Sequence, residues 1–182
     1  MLETKLKELE ETQKDFWNVA RSTGNFLNML IKIRNAKSVL EIGTSNGYSG
    51  LWMLDALKTT GGHLTTIEFY DKRQSIAREN FDLCGFSGMY TPLLGSSCSI
   101  LENLDPEQKF DFVLIDANKR EYIRNFELIK PHLLPNAIIT ADNVNSHREK
   151  VQDYLDTIMQ DPDFQTEILD LPAGLSVSYK LS

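Results

Sequence analysis

The feature that most constrains this chain is a rhythm in which short apolar runs alternate with longer stretches of helical spacing, five times in succession. The runs are Ser38-Val-Leu-Glu-Ile, which stops at Gly43; His63 to Glu68; Met89 to Leu94; Phe110 to Asp116; and Ala137 to Asp142. Between them, Tyr48 to Lys58 carries Leu51, Leu54 and Leu57 at helical spacing, and Asp71 to Leu83 turns Ile76, Ala77 and Phe81 to one side. Further helices are predicted over Ser99 to Leu104, Glu121 to Leu133 and His147 to Met159. Alternation with short connections specifies a parallel sheet covered by helices on both faces. The rhythm then breaks. Phe164 to Asp170 and Gly174 to Leu181 are separated only by Leu171-Pro172-Ala173, too short for a parallel crossover, so they form an antiparallel hairpin. In the last strand Leu175, Val177, Tyr179 and Leu181 alternate with polar residues.

Ahead of the first strand, residues 2 to 20 place Leu2, Leu6, Leu9, Phe16 and Ala20 on one side, which predicts an amphipathic helix. That stripe packs on its own domain or, since the spacing is also a short heptad, on a second subunit in a homodimer. A second helix is predicted from Thr23 to Arg34. The whole is one domain of 182 residues, with a helical segment at 1–34 and a core at 35–182, and shows no repeat or linker.

Composition narrows the partners. The net charge of −7 repels phosphate backbones, so nucleic acid is not the default ligand. No apolar run approaches the ~20 residues that span a bilayer, so no membrane is expected. The charged N-terminus has no signal-peptide core, and Cys84 and Cys98 lack metal-ligand spacing. Two free buried thiols and a cytoplasmic location are the expectation.

Val39-Leu-Glu-Ile-Gly-Thr-Ser-Asn-Gly-Tyr-Ser lies at a strand-to-helix junction, where open α/β sheets bind ligands. Gly43 and Gly47 do not make the G-x-G-x-x-G that admits a pyrophosphate. The turn instead suits the amino-acid and ribose parts of S-adenosylmethionine, and Glu68, ending the second strand, is placed to accept from two ribose hydroxyls. Glu41 lies within an apolar strand and needs partners there. It bonds loop amides or the cofactor's amino group, or serves the fold alone. Five parallel units closing with a hairpin resemble the Rossmann-like class I methyltransferases, with a mostly parallel seven-stranded sheet.

Two other strand ends carry unusual chemistry. Asp116-Ala-Asn-Lys119 closes the fourth strand and Asp142-Asn143-Val closes the fifth, both at the carboxyl edge of the sheet. Asp116, Asp142 and Asn143 together make a hard oxygen set suited to Mg²⁺, with Mn²⁺ or Ca²⁺ also accommodated. Lys119 reaches the same space and can accept a proton. In these stretches, and in Val39–Leu54, Thr65–Phe81 and Gly174–Lys180, the chain resembles the cation-dependent O-methyltransferases that include the catechol and caffeoyl-CoA enzymes and many small bacterial members. The resemblance implies that Asp116, Asp142 and Asn143 bind the metal and that Lys119 is the catalytic base. It further implies that Glu41, Gly43, Tyr48, Ser49, Glu68, Gly95, Ser96, Ser97 and Asp116 meet S-adenosylmethionine, and that the acceptor is a small molecule with vicinal hydroxyls.

Asn118 departs from the family, where an acidic or aromatic residue often stands. So does Asn145-Ser146-His147, which replaces an aromatic-containing loop, and the segment ahead of the first strand is shorter. His147 is expected to start a helix in solvent, and His63 and His132 have no partner spacing. Two other functions stay open. One is methylation of a hydroxylated tRNA uridine; the other is a scaffold that binds the cofactor without catalysis, which leaves the clustered carboxylates without a purpose.

Overall fold

The computed structural model describes residues 1–181. Seven strands form one sheet: β1 (Ser38–Ile42), β2 (His63–Glu68), β3 (Tyr90–Leu94), β4 (Phe110–Ile115), β5 (Leu133–Asp142), β6 (Phe164–Leu169) and β7 (Leu175–Lys180). Their spatial order is β3-β2-β1-β4-β5-β7-β6. The first five strands run parallel, whereas β7 pairs antiparallel with β5 from Asp142↔Leu175 to Ile138↔Tyr179, and β6 pairs antiparallel with β7. The expected doubly covered sheet with a terminal hairpin is therefore the observed one. The last strand inserts between β5 and β6, so it, not β6, completes the hydrogen bonds of the strand that carries Asp142.

Helices α1 (Leu2–Glu11), α2 (Gln13–Phe16), α3 (Arg21–Arg34), α4 (Tyr48–Thr60) and α5 (Asp71–Leu83) precede β3, and α6 (Ser97–Glu102), α7 (Tyr122–Ile129) and α8 (Arg148–Gln160) follow it. One core joins Leu27, Ile31, Leu51, Leu54 and Phe81 to Val39, Phe112 and Leu114. On the opposite face Tyr122, Phe126, Tyr154 and Leu155 pack on Leu40, Ile42, Val113 and Ile115. Strand β4 is buried along its whole length, as its unbroken apolar reading requires. Its one charged residue, Asp111, accepts from the backbone N–H of Lys37 at 2.8 Å and of Ser38 at 3.1 Å, and so pins the start of β1.

The single helix expected over residues 2 to 20 is broken. The Thr12 hydroxyl and the Asn18 amide both donate to the Leu9 carbonyl, at 3.2 and 3.0 Å, which satisfies the helix end without another turn. Trp17 then takes a left-handed conformation (φ 55°), and Ala20 caps α3 instead of extending the stripe. Leu6 and Leu9 are buried in the chain's own core; Phe16 departs to line a cavity. The helix expected from Glu121 to Leu133 is a central α-helix between two short 3₁₀ turns, Lys119–Glu121 and Lys130–His132. Pro131, which has no N–H to donate, explains the second turn. No helix among the described residues is long and apolar enough to cross a membrane. Cys84 and Cys98 are free, but both are half-buried, not sequestered as expected.

Candidate functional site

The carboxyl ends of β1, β2, β4 and β5 open into a cavity of about 760 Å³, ample for a small ligand pair. It lies where the order reverses between β1 and β4, the switch point of an open sheet. Strand β1 passes into α4 through a turn that only glycine can make. Gly43 has φ 106°, and a Cβ there would stand 2.2 Å from the Asp116 carbonyl oxygen. Gly47 has φ 87°, and its Cβ would meet the Phe81 ring at 2.7 Å. Both positions thus exclude a side chain twice over, by backbone conformation and by lack of room.

Glu68 stands at the end of β2, nearly buried. One carboxylate oxygen accepts from the Ser45 N–H at 2.8 Å and the other from the Tyr70 N–H at 2.9 Å. Two amides hold the group rigidly and leave lone pairs facing the cavity. Ser45, itself left-handed (φ 49°), donates its hydroxyl to the Phe16 carbonyl at 2.8 Å. The glycine turn is thereby tied to the connection between α2 and α3, and Phe16, Trp17, Asn18 and Val19 from that connection form one wall. Gly95, Ser96 and Ser97 form another. The Ser97 hydroxyl is already engaged, donating to Asn125 Oδ1 at 2.9 Å. Tyr48 and Ser49 also line the cavity, although the Tyr48 hydroxyl donates to Glu10 Oε1 at 2.6 Å and so ties α4 to α1.

Glu41 is placed differently from the other expected contacts. It is fully buried and behind the cavity wall, where its oxygens accept from the Ser49 and Thr66 hydroxyls, both at 2.5 Å. Its partners are hydroxyls, not loop amides. Burial pushes its carboxyl up to about 8, against the pull of those two hydrogen bonds. The folded state therefore favours the protonated acid. This contribution to stability is fully present below about 4.5 and is lost as pH rises through about 8. Glu41→Gln, which mimics the neutral acid, should keep the melting temperature at neutral pH within a few degrees of wild type and flatten its decline across that window. A thermal-melt series against pH reads this directly, and a collapse of the Gln variant at neutral pH would show an ionised Glu41 instead.

At the other end, Lys119 donates to Asp116 Oδ1 at 2.7 Å, with both side chains mostly buried. The ammonium lies 5.4 Å from the centre of the Tyr122 ring, whose hydroxyl donates to the Asp142 carbonyl at 3.0 Å. Asn143 lines the cavity in a left-handed conformation (φ 64°); an asparagine tolerates it better than most residues. Asp142 sits just behind, 2% exposed, and its Oδ1 has no hydrogen-bond partner. Burial, and next the charge of Asp116, push its carboxyl up to about 7. A buried carboxylate oxygen without a donor calls for a proton or a cation. The donor set of two carboxylates and one amide oxygen fits a hard divalent ion. Among the described residues no group of three or more His, Cys, Asp or Glu is poised for a metal, so the amide of Asn143 is needed to complete any set.

His147, expected in solvent, is instead half-buried and lines the cavity next to Lys150. Burial and the charges of Lys119 and Lys150 hold its imidazole below the usual histidine range. Its place five residues after Asp142, on the loop leaving a strand's carboxyl end, was the available signal. Tyr70 and Arg73, two and five residues after Glu68, carried the same signal; the Phe16–Val19 wall had none, because its approach depends on the break in the first helix. His63 and His132 lie outside the cavity and bond Thr91 and the Gln108 carbonyl.

An O-methyltransferase family model matches residues 2–173, nearly the whole chain. The chain belongs to that O-methyltransferase family. Catechol O-methyltransferase of Niastella koreensis is 36% identical over 129 residues, which cover 70% of this chain and 58% of that protein. The match therefore spans little more than half of that relative's length. Caffeoyl-CoA O-methyltransferase 1 of Eucalyptus globulus is 30% identical across 97% of this chain and 82% of its own. In fold, the O-methyltransferase of Bacillus cereus in complex with SAH superposes with a TM-score of 0.86 at 24% identity, covering 97% of this chain and 90% of that one.

Proposed function

We propose that this chain transfers the methyl group of S-adenosylmethionine to one hydroxyl of a small catechol-like acceptor, with a divalent cation, Mg²⁺ above all, held by Asp116, Asp142 and Asn143. The observation that carries the reading is the buried, unpartnered oxygen of Asp142 beside the Asp116–Lys119 pair. A bound cation would supply Lewis acidity and draw the paired hydroxyls of the acceptor toward ionisation. The protein's residues do the remainder. The Gly43–Gly47 turn leaves room for the cofactor, and Glu68 accepts from the ribose hydroxyls. Asp116 positions Lys119 at the acceptor end; the ammonium first gives a proton to solvent, a loss that a bound cation beside it would favour, and the neutral amine then takes the hydroxyl proton. The Phe16–Val19 wall excludes water. Alignment and charge placement carry the rate, because a sulfonium methyl needs no further activation.

The decisive assay is methyl transfer to a panel of catechols with and without chelator. Full activity in excess EDTA would remove the metal and leave the family assignment. Glu68→Ala should weaken S-adenosylmethionine binding by roughly 1.5–3 kcal/mol, the worth of hydrogen bonds to a charged group, while the protein stays folded. Unchanged affinity in calorimetry would take Glu68 out of the site.

A hydroxylated tRNA uridine is the second reading. Its support is the exposure of Trp17, Phe69 and Tyr70 at the cavity mouth, with Arg73 stacked 4.7 Å from Trp17. Aromatics interleaved with a cation are what unpaired bases stack on. Activity on such a tRNA without activity on any small catechol would decide for it.

A further inference from the structure

Four side chains form one buried line behind the cavity wall. The Thr44 and Thr66 hydroxyls lie 2.5 Å apart, and Thr66 and Ser49 each stand 2.5 Å from a different oxygen of Glu41. Glu41 is fully buried, whereas Thr44 and Ser49, the two ends of the line, lie in the cavity wall. The hydroxyls have no other partner among the described residues. Oxygen separations fix these three bonds without saying which atom carries each proton. The proton count decides it. With Glu41 ionised, the three hydroxyl protons are all consumed by the three bonds, and both ends show the cavity only lone pairs. A neutral Glu41 adds one proton, so one end of the line has a hydroxyl proton to give to a ligand.

The surroundings favour that extra proton. Burial pushes the Glu41 carboxyl up, and Asp116 at the end of β4 and Glu68 at the end of β2 push it the same way by their charge. Helix α4 meets it with Ser49 and Gly50, which carry no charge. Of the two ends, Ser49 suits an anion, because it lies in the first turn of α4, where free backbone N–H groups already favour negative charge.

We propose that Glu41 is a positioning residue: as the neutral acid it donates to Ser49, and the Ser49 hydroxyl in turn donates to the carboxylate at the amino-acid end of S-adenosylmethionine. This rests on the reading of the cavity as an S-adenosylmethionine site. Glu41 thus serves the cofactor without touching it, and binding keeps its proton in place.

The probe is SAH, titrated calorimetrically into the full chain without divalent cation, so that the charge of Asp116 stays the same throughout. Between pH 7 and pH 9 the affinity of wild type should fall about tenfold more than that of Glu41→Gln, whose amide always has a proton to donate. The difference between the two proteins removes the titration of the ligand's own amino group. At pH 9 wild type should take up about one more proton on binding than Glu41→Gln, read from titrations in buffers of different ionisation enthalpy. Ser49→Ala should weaken binding about tenfold at pH 7 and abolish that uptake. Parallel pH profiles for wild type and Glu41→Gln, or a Gln variant as weak as Ser49→Ala at pH 7, would overturn the proposal and leave the cofactor reading standing. Wild type that binds no SAH would remove both.

Discussion

Asp142→Ala should lower kcat/KM for methyl transfer by at least about 10²-fold, the equivalent of ~2.7 kcal/mol of lost transition-state stabilisation, while S-adenosylmethionine affinity stays near wild type. In the proposed reading the two effects separate because Gly43, Gly47 and Glu68 stand at one end of the cavity, whereas Asp116 and Asn143 line the other with Asp142 just behind. Excess Mg²⁺ or Mn²⁺ should restore only part of the activity, since one carboxylate and one amide hold a hard cation poorly. A purely architectural Asp142 makes the opposite forecast, namely lost stability with no dependence on metal. The structure makes the contrast sharp. Asp142 Oδ1 has no hydrogen-bond partner, so metal-free Asp142→Asn should melt no lower than wild type. Paired melts of the two proteins with and without Mg²⁺ should show the cation raising the melting temperature of wild type alone. A metal-free Asn variant that melts well below wild type would return Asp142 to a structural role.

Lys119→Ala should reduce kcat by roughly 10²- to 10⁴-fold, the range for loss of a positioned general base, and keep cofactor affinity. Part of the rate should return at higher pH, as the acceptor hydroxyl ionises unaided. Lys119→Arg is the informative companion. Arginine can preserve the 2.7 Å pairing with Asp116 but does not release its proton in proteins. It should therefore be as slow as the alanine variant. An active arginine variant would show that Lys119 serves by its charge and not as a base, and pH–rate profiles of the three proteins measure the difference.

Much of this arrangement was legible in the chain itself, for identifiable reasons. Strands β1 and β2 and helix α5 fall where periodicity placed them, because each has an unambiguous apolar pattern bounded by a glycine or a charged residue. Asp116 and Asp142 were recognisable because carboxylates that end largely apolar strands of a parallel sheet reach one edge by topology alone. Glu41 marks the limit of that reasoning. Its position within β1 required partners, but only folding showed those partners to be the Ser49 and Thr66 hydroxyls behind the cavity. The first helix marks another. Its stripe of Leu2, Leu6, Leu9 and Phe16 is genuine in the sequence, yet the side chains of Thr12 and Asn18 bond the Leu9 carbonyl and the helix ends at Glu11.

By itself, the sequence determined the doubly covered parallel sheet, the closing hairpin, the glycine turn and the presence of Glu68, Asp116, Lys119, Asp142 and Asn143 at strand ends. These follow from local periodicity and from steric rules on a single backbone, which need no knowledge of distant neighbours. Only the tertiary structure decided that β7 lies beside β5, that the Phe16–Val19 connection walls the cavity, that His147 faces inward, and that one oxygen of Asp142 is left without a donor. Each of these depends on groups far apart in the chain approaching within hydrogen-bond or van der Waals distance. Such pairings arise from competition among many packings of similar local propensity, and the buried contacts of the finished fold select one of them.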